Sequence, residues 1–114
     1  MIAALTLVAL GTATRLAQAG RIGGPMADFG TVPAGRSIFF DIPFAEGAPA
    51  AIAVMGNGPG NVELYVYDGD GNVTVGTGMA ERRVATVNVY RSGVFRVELR
   101  NTGAVDSNVL IGTN

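Results

Sequence analysis

Val94-Phe95-Arg96-Val97-Glu98-Leu99-Arg100 is the stretch whose reading decides the architecture, because Phe95, Val97 and Leu99 alternate there with Arg96, Glu98 and Arg100. Side chains return to the same face every second residue along a strand, but only about every 3.6 residues along a helix. Strict alternation of apolar and charged residues therefore predicts a half-buried strand, one face packed and the other wet. Working outward, Val62, Leu64 and Val66 alternate with Glu63, Tyr65 and Tyr67. Ile38, Phe40 and Ile42 alternate with Phe39 and Asp41. Ala51 to Met55 and Val84 to Tyr90 read the same way, the latter setting Ala85, Val87 and Val89 against Thr86, Asn88 and Tyr90. Val73 to Val75 and Asn108 to Ile111 are shorter and read as strands at a sheet edge or end.

Between these runs stand Gly56-Asn57-Gly58-Pro59-Gly60-Asn61, Asp68-Gly69-Asp70-Gly71-Asn72 and Arg91-Ser92-Gly93, all rich in residues that tolerate positive φ. They read as turns. Residues 20 to about 33 read as an extended leader into the first full strand. Helix signals after residue 20 are nearly nil, since the chain holds 17 Gly and its apolar runs are β-branched. About seven to eight short strands at roughly ten-residue spacing predict an all-β fold, an antiparallel jelly-roll-like sandwich. Its expected interior includes Phe40, Leu64, Val87, Phe95 and Leu99.

The 114 residues are one domain's worth, and a composition of 48% hydrophobic and 15% charged residues suits a packed core. The net charge is −1, without Lys and without any block of like charge. Nucleic acid is thus a poor partner, since it calls for a concentrated basic face. There is no His, Cys or Trp. Thiolate and imidazole metal sites, His-dependent nucleophilic triads and disulfides are therefore excluded.

Ile2 to Leu10 is an uncharged apolar run, followed by small and polar residues and then Ala17-Gln18-Ala19 before Gly20. That is the layout of a secretory signal peptide with an Ala-x-Ala cleavage site. No basic residue precedes the run, and Arg15 stands just ahead of the cleavage motif. The reading divides the chain into residues 1–19, a signal peptide, and residues 20–114, a single sandwich domain. It places the mature protein in the periplasm, at the cell surface or outside the cell. The alternative is an N-terminal helix that stays on the protein, packed on the sandwich or on a neighbouring subunit. The run is too short to cross a bilayer, which needs about 20 apolar residues.

Few residues announce chemistry. Asp68, Asp70 and Asn72 offer oxygens at alternate positions, as a calcium loop begins. Val73 then stands where such a loop needs Gly and Met79 where it needs a bidentate Glu, so a hairpin turn is the preferred reading. Glu63, Tyr65 and Tyr67 should share an outer strand face, a surface on which sandwich modules hold sugars. Cross-strand pairing of good β-formers accounts for them without any ligand and is the preferred reading. Asp41, Glu63 and Glu98 are the carboxylates one would nominate for hydrolysis, but outward positions on strands are poorly placed to raise a carboxylate's pKa. Arg82, Arg83, Arg91, Arg96 and Arg100 are scattered among acids and read as solvated surface.

Three segments carry a resemblance: Arg36-Ser-Ile-Phe-Phe-Asp-Ile-Pro43, Asn61-Val-Glu-Leu-Tyr-Val-Tyr-Asp-Gly-Asp-Gly-Asn72 and Gly93-Val-Phe-Arg-Val-Glu-Leu-Arg-Asn101. Residues 28 to 112 resemble the bacterial pre-peptidase C-terminal domain, a jelly-roll-like sandwich appended to secreted proteases and other exported enzymes. Leu64 to Asn72 is the most specific part. The resemblance implies a non-catalytic accessory or adhesion module that binds polysaccharide, protein or a cell surface, without a cofactor. No catalytic domain accompanies it in this sequence. Some relatives bind calcium through acidic residues near the domain's start, where only Asp28 stands here, so that site is not carried over. The competing expectation is a structural subunit of a surface layer, filament or shell, joined through an unpaired strand edge or the N-terminal segment.

Overall fold

A computed structural model describes residues 20–56, 60–79 and 81–114. The expected signal peptide and the middle of the turn Gly56 to Asn61 lie outside the described residues. Among those described the chain is all-β, with nine strands: β1 (Ala27–Val32), β2 (Ser37–Phe44), β3 (Ala50–Gly56), β4 (Val62–Tyr67), β5 (Val73–Val75), β6 (Thr77–Met79), β7 (Arg82–Val87), β8 (Gly93–Asn101) and β9 (Ser107–Thr113). No helix among them is long and apolar enough to cross a membrane.

The strands form two antiparallel sheets in the orders β1-β9-β3-β7-β6 and β2-β8-β4-β5. Pairing explains that order. The chain turns back at Asp68–Asn72, joining β4 to β5; β3 then pairs with β7, β2 with β8 and β1 with β9. One long antiparallel hairpin has been folded over on itself, which is the jelly-roll arrangement. β6 extends the edge of the five-stranded sheet beyond β7.

Period-two alternation buries one face of each sheet. Val62, Leu64 and Val66 of β4 and Phe95, Val97 and Leu99 of β8 meet Ile52 and Val54 of β3 and Val109 and Ile111 of β9 in one core. Phe44 and Phe95 pack edge to face at 5.7 Å, the geometry their ring quadrupoles favour. Phe40 and Val87 are only partly buried, lying against the rim of that core.

The leader expected over residues 20 to 33 contains a full strand, β1, whose alternation is masked by Asp28 and Gly30 at inward positions. β9 is not at an edge: it lies between β1 and β3. The strand expected to run to Tyr90 ends at Val87.

One buried polar side chain ties the two sheets together. Asn101, at the end of β8, donates from Nδ2 to the carbonyls of Val32 (2.9 Å) and Val105 (2.8 Å). Its Oδ1 accepts from the backbone amides of Gly103 (2.8 Å) and Asn61 (3.3 Å). All four of its hydrogen-bonding valences are used, which is the condition for burying an amide without penalty. Glycine is required where β5 passes into β6, because a Cβ at Gly76 would lie 2.8 Å from two side-chain carbons of Leu64.

Candidate functional site

The outer face of the four-stranded sheet collects the chemistry-bearing residues named from the sequence. Cross-strand register sets Tyr65 beside Glu98, Glu63 beside Arg100, and Tyr67 and Asp41 on either side of Arg96. Glu98 is its hub. Its carboxylate accepts from Ser37 Oγ, from the Tyr67 hydroxyl, and from Arg100 through Nε (3.0 Å) and Nη2 (3.2 Å). Only 6% of Glu98 is exposed, so the expectation that this face is uniformly wet fails at its centre. Neighbours from β2, β4 and β8 converge over the carboxylate, and the surrounding donors replace the water it has lost.

The electrostatics follow from those contacts. The Arg100 guanidinium, helped by the Ser37 and Tyr67 hydroxyls, pulls the Glu98 carboxyl down to about 2 against burial, which acts the other way. Asp41 is likewise lowered by its hydrogen bond to Arg96 (3.0 Å). Tyr65 donates to Glu63 at 2.7 Å, and this bond raises its hydroxyl pKa. Tyr67 is raised by its bond to Glu98.

The two aromatic rings expected to offer flat sugar platforms, Tyr65 and Tyr67, are both half-buried, and Tyr65 also carries a cation on its face. The Arg100 guanidinium lies 4.3 Å above the Tyr65 ring, and Arg96 stands 5.6 Å from the centre of Phe39. These cation–π contacts cover ring faces that a sugar would otherwise stack on. Of the five arginines read as solvated surface, Arg96 pairs with Asp41 while staying more than half exposed, Arg100 pairs with Glu98, and Arg83 donates to the Val62 carbonyl (2.8 Å) and Asn61 Oδ1 (3.1 Å).

The proposed calcium oxygens are spent on the turn. Asp68 Oδ1 accepts from the amides of Asp70 (2.8 Å) and Asn72 (2.9 Å), and Oδ2 accepts from Asn72 Nδ2 (2.9 Å). These bonds lower the Asp68 pKa, Asn72 contributing most. Asp70 points elsewhere, pairing with Arg91 at 3.1 Å. Gly71, at φ 87°, supplies the left-handed residue that closes the loop. Asp68, Asp70 and Asn72 thus build a five-residue hairpin loop, and their three side chains do not converge on one point.

That loop forms one wall of a cleft the sequence reading missed. About 280 Å³ in volume, the cleft lies at one end of the sandwich between Asp68–Asp70 and the β7–β8 connection, with Asn88, Tyr90, Arg91 and Ser92 on its other wall. Tyr90 is 87% exposed, and it also borders a second hollow of about 220 Å³ lined by Gly47, Ala48 and Pro49. An aromatic ring stands free here between polar donors and acceptors on connecting loops, where a rigid sandwich commonly carries its binding residues. The signal available in the sequence was Tyr90 directly before Arg91-Ser92-Gly93. The alternation from Val84 onward makes it the last outward residue of a strand.

The outer face of the five-stranded sheet is different in kind. Register aligns Phe29, Leu110, Met55, Arg82 and Met79 in one row across all five strands. A parallel row of Ala27, Gly112, Ala53, Val84 and Thr77 runs beside it. Phe29 is 80% exposed and Met79 74%.

No family model matches the chain, and no curated protein matches it.

Proposed function

We propose that the protein is an exported, non-catalytic binding module that holds a polysaccharide in the cleft at the loop end of the sandwich. Tyr90 carries the reading: its free ring can stack on a sugar while the Asp70–Arg91 pair, Asn88 and Ser92 supply the directed hydrogen bonds that select hydroxyls. Two of the three carboxylates nominated for hydrolysis are unsuited to serve as a general acid. Glu98 and Asp41 are held ionised by Arg100 and Arg96, whereas acid catalysis near neutrality needs a carboxyl whose pKa is raised. Export rests on the layout of residues 1–19, and the accessory role on the resemblance to pre-peptidase C-terminal domains.

Two measurements test this. Intact mass of protein secreted by its own host should correspond to a chain starting at Gly20. Pull-down on insoluble cellulose, chitin and peptidoglycan should retain the protein on at least one of them, and Tyr90→Ala should weaken that retention at least tenfold. Equal retention of the variant, or no retention on any of the three, would remove the reading.

A further inference from the structure

A sheet face that runs across five strands with no acidic residue and one arginine is an unusual surface to leave in water. The row from Phe29 to Met79 holds four large apolar side chains, and the small residues beside it leave the sheet open to close approach. Between Phe29, Leu110 and Met55 runs a groove of about 220 Å³. The core residues of the sandwich lie beneath this face, and among the described residues no element packs over it. Isolated exposed apolar residues are ordinary, but contiguous patches of several hundred Å² mark interaction sites.

We propose that a second copy of this chain packs on this face, five-stranded sheet against five-stranded sheet, about a two-fold axis. Three observations select that occupant. The first is area. The strands, six or seven residues long except for the three-residue β6, lie about 4.8 Å apart and present roughly 450 Å², so two copies remove about 900 Å² from water, close to the lower limit for a specific dimer. The second is charge. A distinct protein partner is chosen by complementary charge, and here Arg82 is the only ionic group in either row. What fits such a surface is another flat apolar sheet, and this chain makes one. The third is register. An axis running along β3 turns the row onto itself, so that Phe29 meets the partner subunit's Met79 and Met55 meets the partner subunit's Met55. A ring against a thioether is a favourable contact, and a two-fold contact closes after two copies. The cleft beside Tyr90 lies on neither row and stays open in the pair.

Sedimentation equilibrium and light scattering of the full chain test the proposal, together with Phe29→Glu and, as a charge control on the opposite sheet, Val75→Glu. Both sites are exposed (80% and 55%), so both variants are expected to fold. The wild type should pass from monomer to dimer over roughly 1–100 µM, a range suited to an interface of this size. Phe29→Glu should raise the dissociation constant at least tenfold, and Val75→Glu should leave it unchanged. Peroxide oxidation of Met55 and Met79 should slow as the dimer forms. A dimer that survives Phe29→Glu would place the interface elsewhere and overturn the proposal. A monomer with Met55 freely oxidised would leave the face uncovered, and a monomer with Met55 protected would assign the face to residues 1–19; either result overturns it. None of these outcomes depends on polysaccharide retention, so the two readings fail separately.

Discussion

The two outer faces of this sandwich are built from the same strand alternation and come out opposite. On the four-stranded sheet every long polar side chain meets a partner: Glu98 with Arg100, Tyr67 and Ser37, Arg96 with Asp41, and Tyr65 with Glu63. On the five-stranded sheet the corresponding positions hold Phe29, Leu110, Met55 and Met79, with Arg82 among them. Alternation decides which residues leave the core, but not whether the surface they form is finished. Cross-strand register decides that, by bringing residues far apart in sequence into pairs or failing to do so.

The comparison can be broken first at the seam between the sheets. Asn101→Ala strips partners from two carbonyls and two amides, and it should cost on the order of 3 kcal/mol or more, read as a lower urea midpoint with an unchanged slope. A smaller loss is expected on the polar face itself. Glu98→Ala leaves Arg100, Tyr67 and Ser37 without their common acceptor and should cost about 2 kcal/mol, while Thr86→Ala on the apolar face should stay within about 0.5 kcal/mol.

Acid sharpens the same contrast. The folded state binds the Glu98 proton more weakly than the unfolded chain does, its pKa falling from 4.5 to about 2. The stability it contributes is complete above about 4.5 and is lost as pH falls towards about 2. Urea midpoints across that window should therefore drop for the wild type and drop less for Glu98→Gln. At the alkaline end the sign reverses. Tyr65 and Tyr67 are raised above 10.0 by the carboxylates they donate to, so ultraviolet titration should show both ionising late, with their stabilising hydrogen bonds lost as they do. The smallest effect belongs to Asp41→Asn, because the Asp41–Arg96 pair is more than half exposed on both sides. A pair of this kind contributes about 0–1 kcal/mol, screened further by salt.

The strands and core were legible in the sequence because period two is a local signal, and it survives in β2, β4 and β8 almost residue for residue. The turn at Asp68–Asn72 was legible too, since Asp, Gly and Asn act there through bonds to their own backbone. What could not be read is whatever depends on pairing at a distance. β9 looked like an edge because its run is short, yet it is flanked on both sides by strands that lie far away in sequence. Glu98 looked wet because its own strand alternates perfectly, and it is buried by Ser37 and Tyr67 from two other strands. Tyr90 followed the alternation of β7 by one repeat too many. Only the fold shows that the strand has ended and that a cleft opens beside the ring.

The folded-over hairpin also sets an order of assembly. Each inner pairing shortens the loop that the next pairing has to close, so β4 with β5 can form from nearly adjacent residues, whereas β1 with β9 must otherwise bring opposite ends of the domain together. Non-local contacts slow folding, and here their cost falls stepwise as the chain zips outward from its apex. Φ values are accordingly expected to be highest around Val66 and Val73 and lowest along β1, which makes the strand carrying Phe29 the last to be laid down and the first to fray.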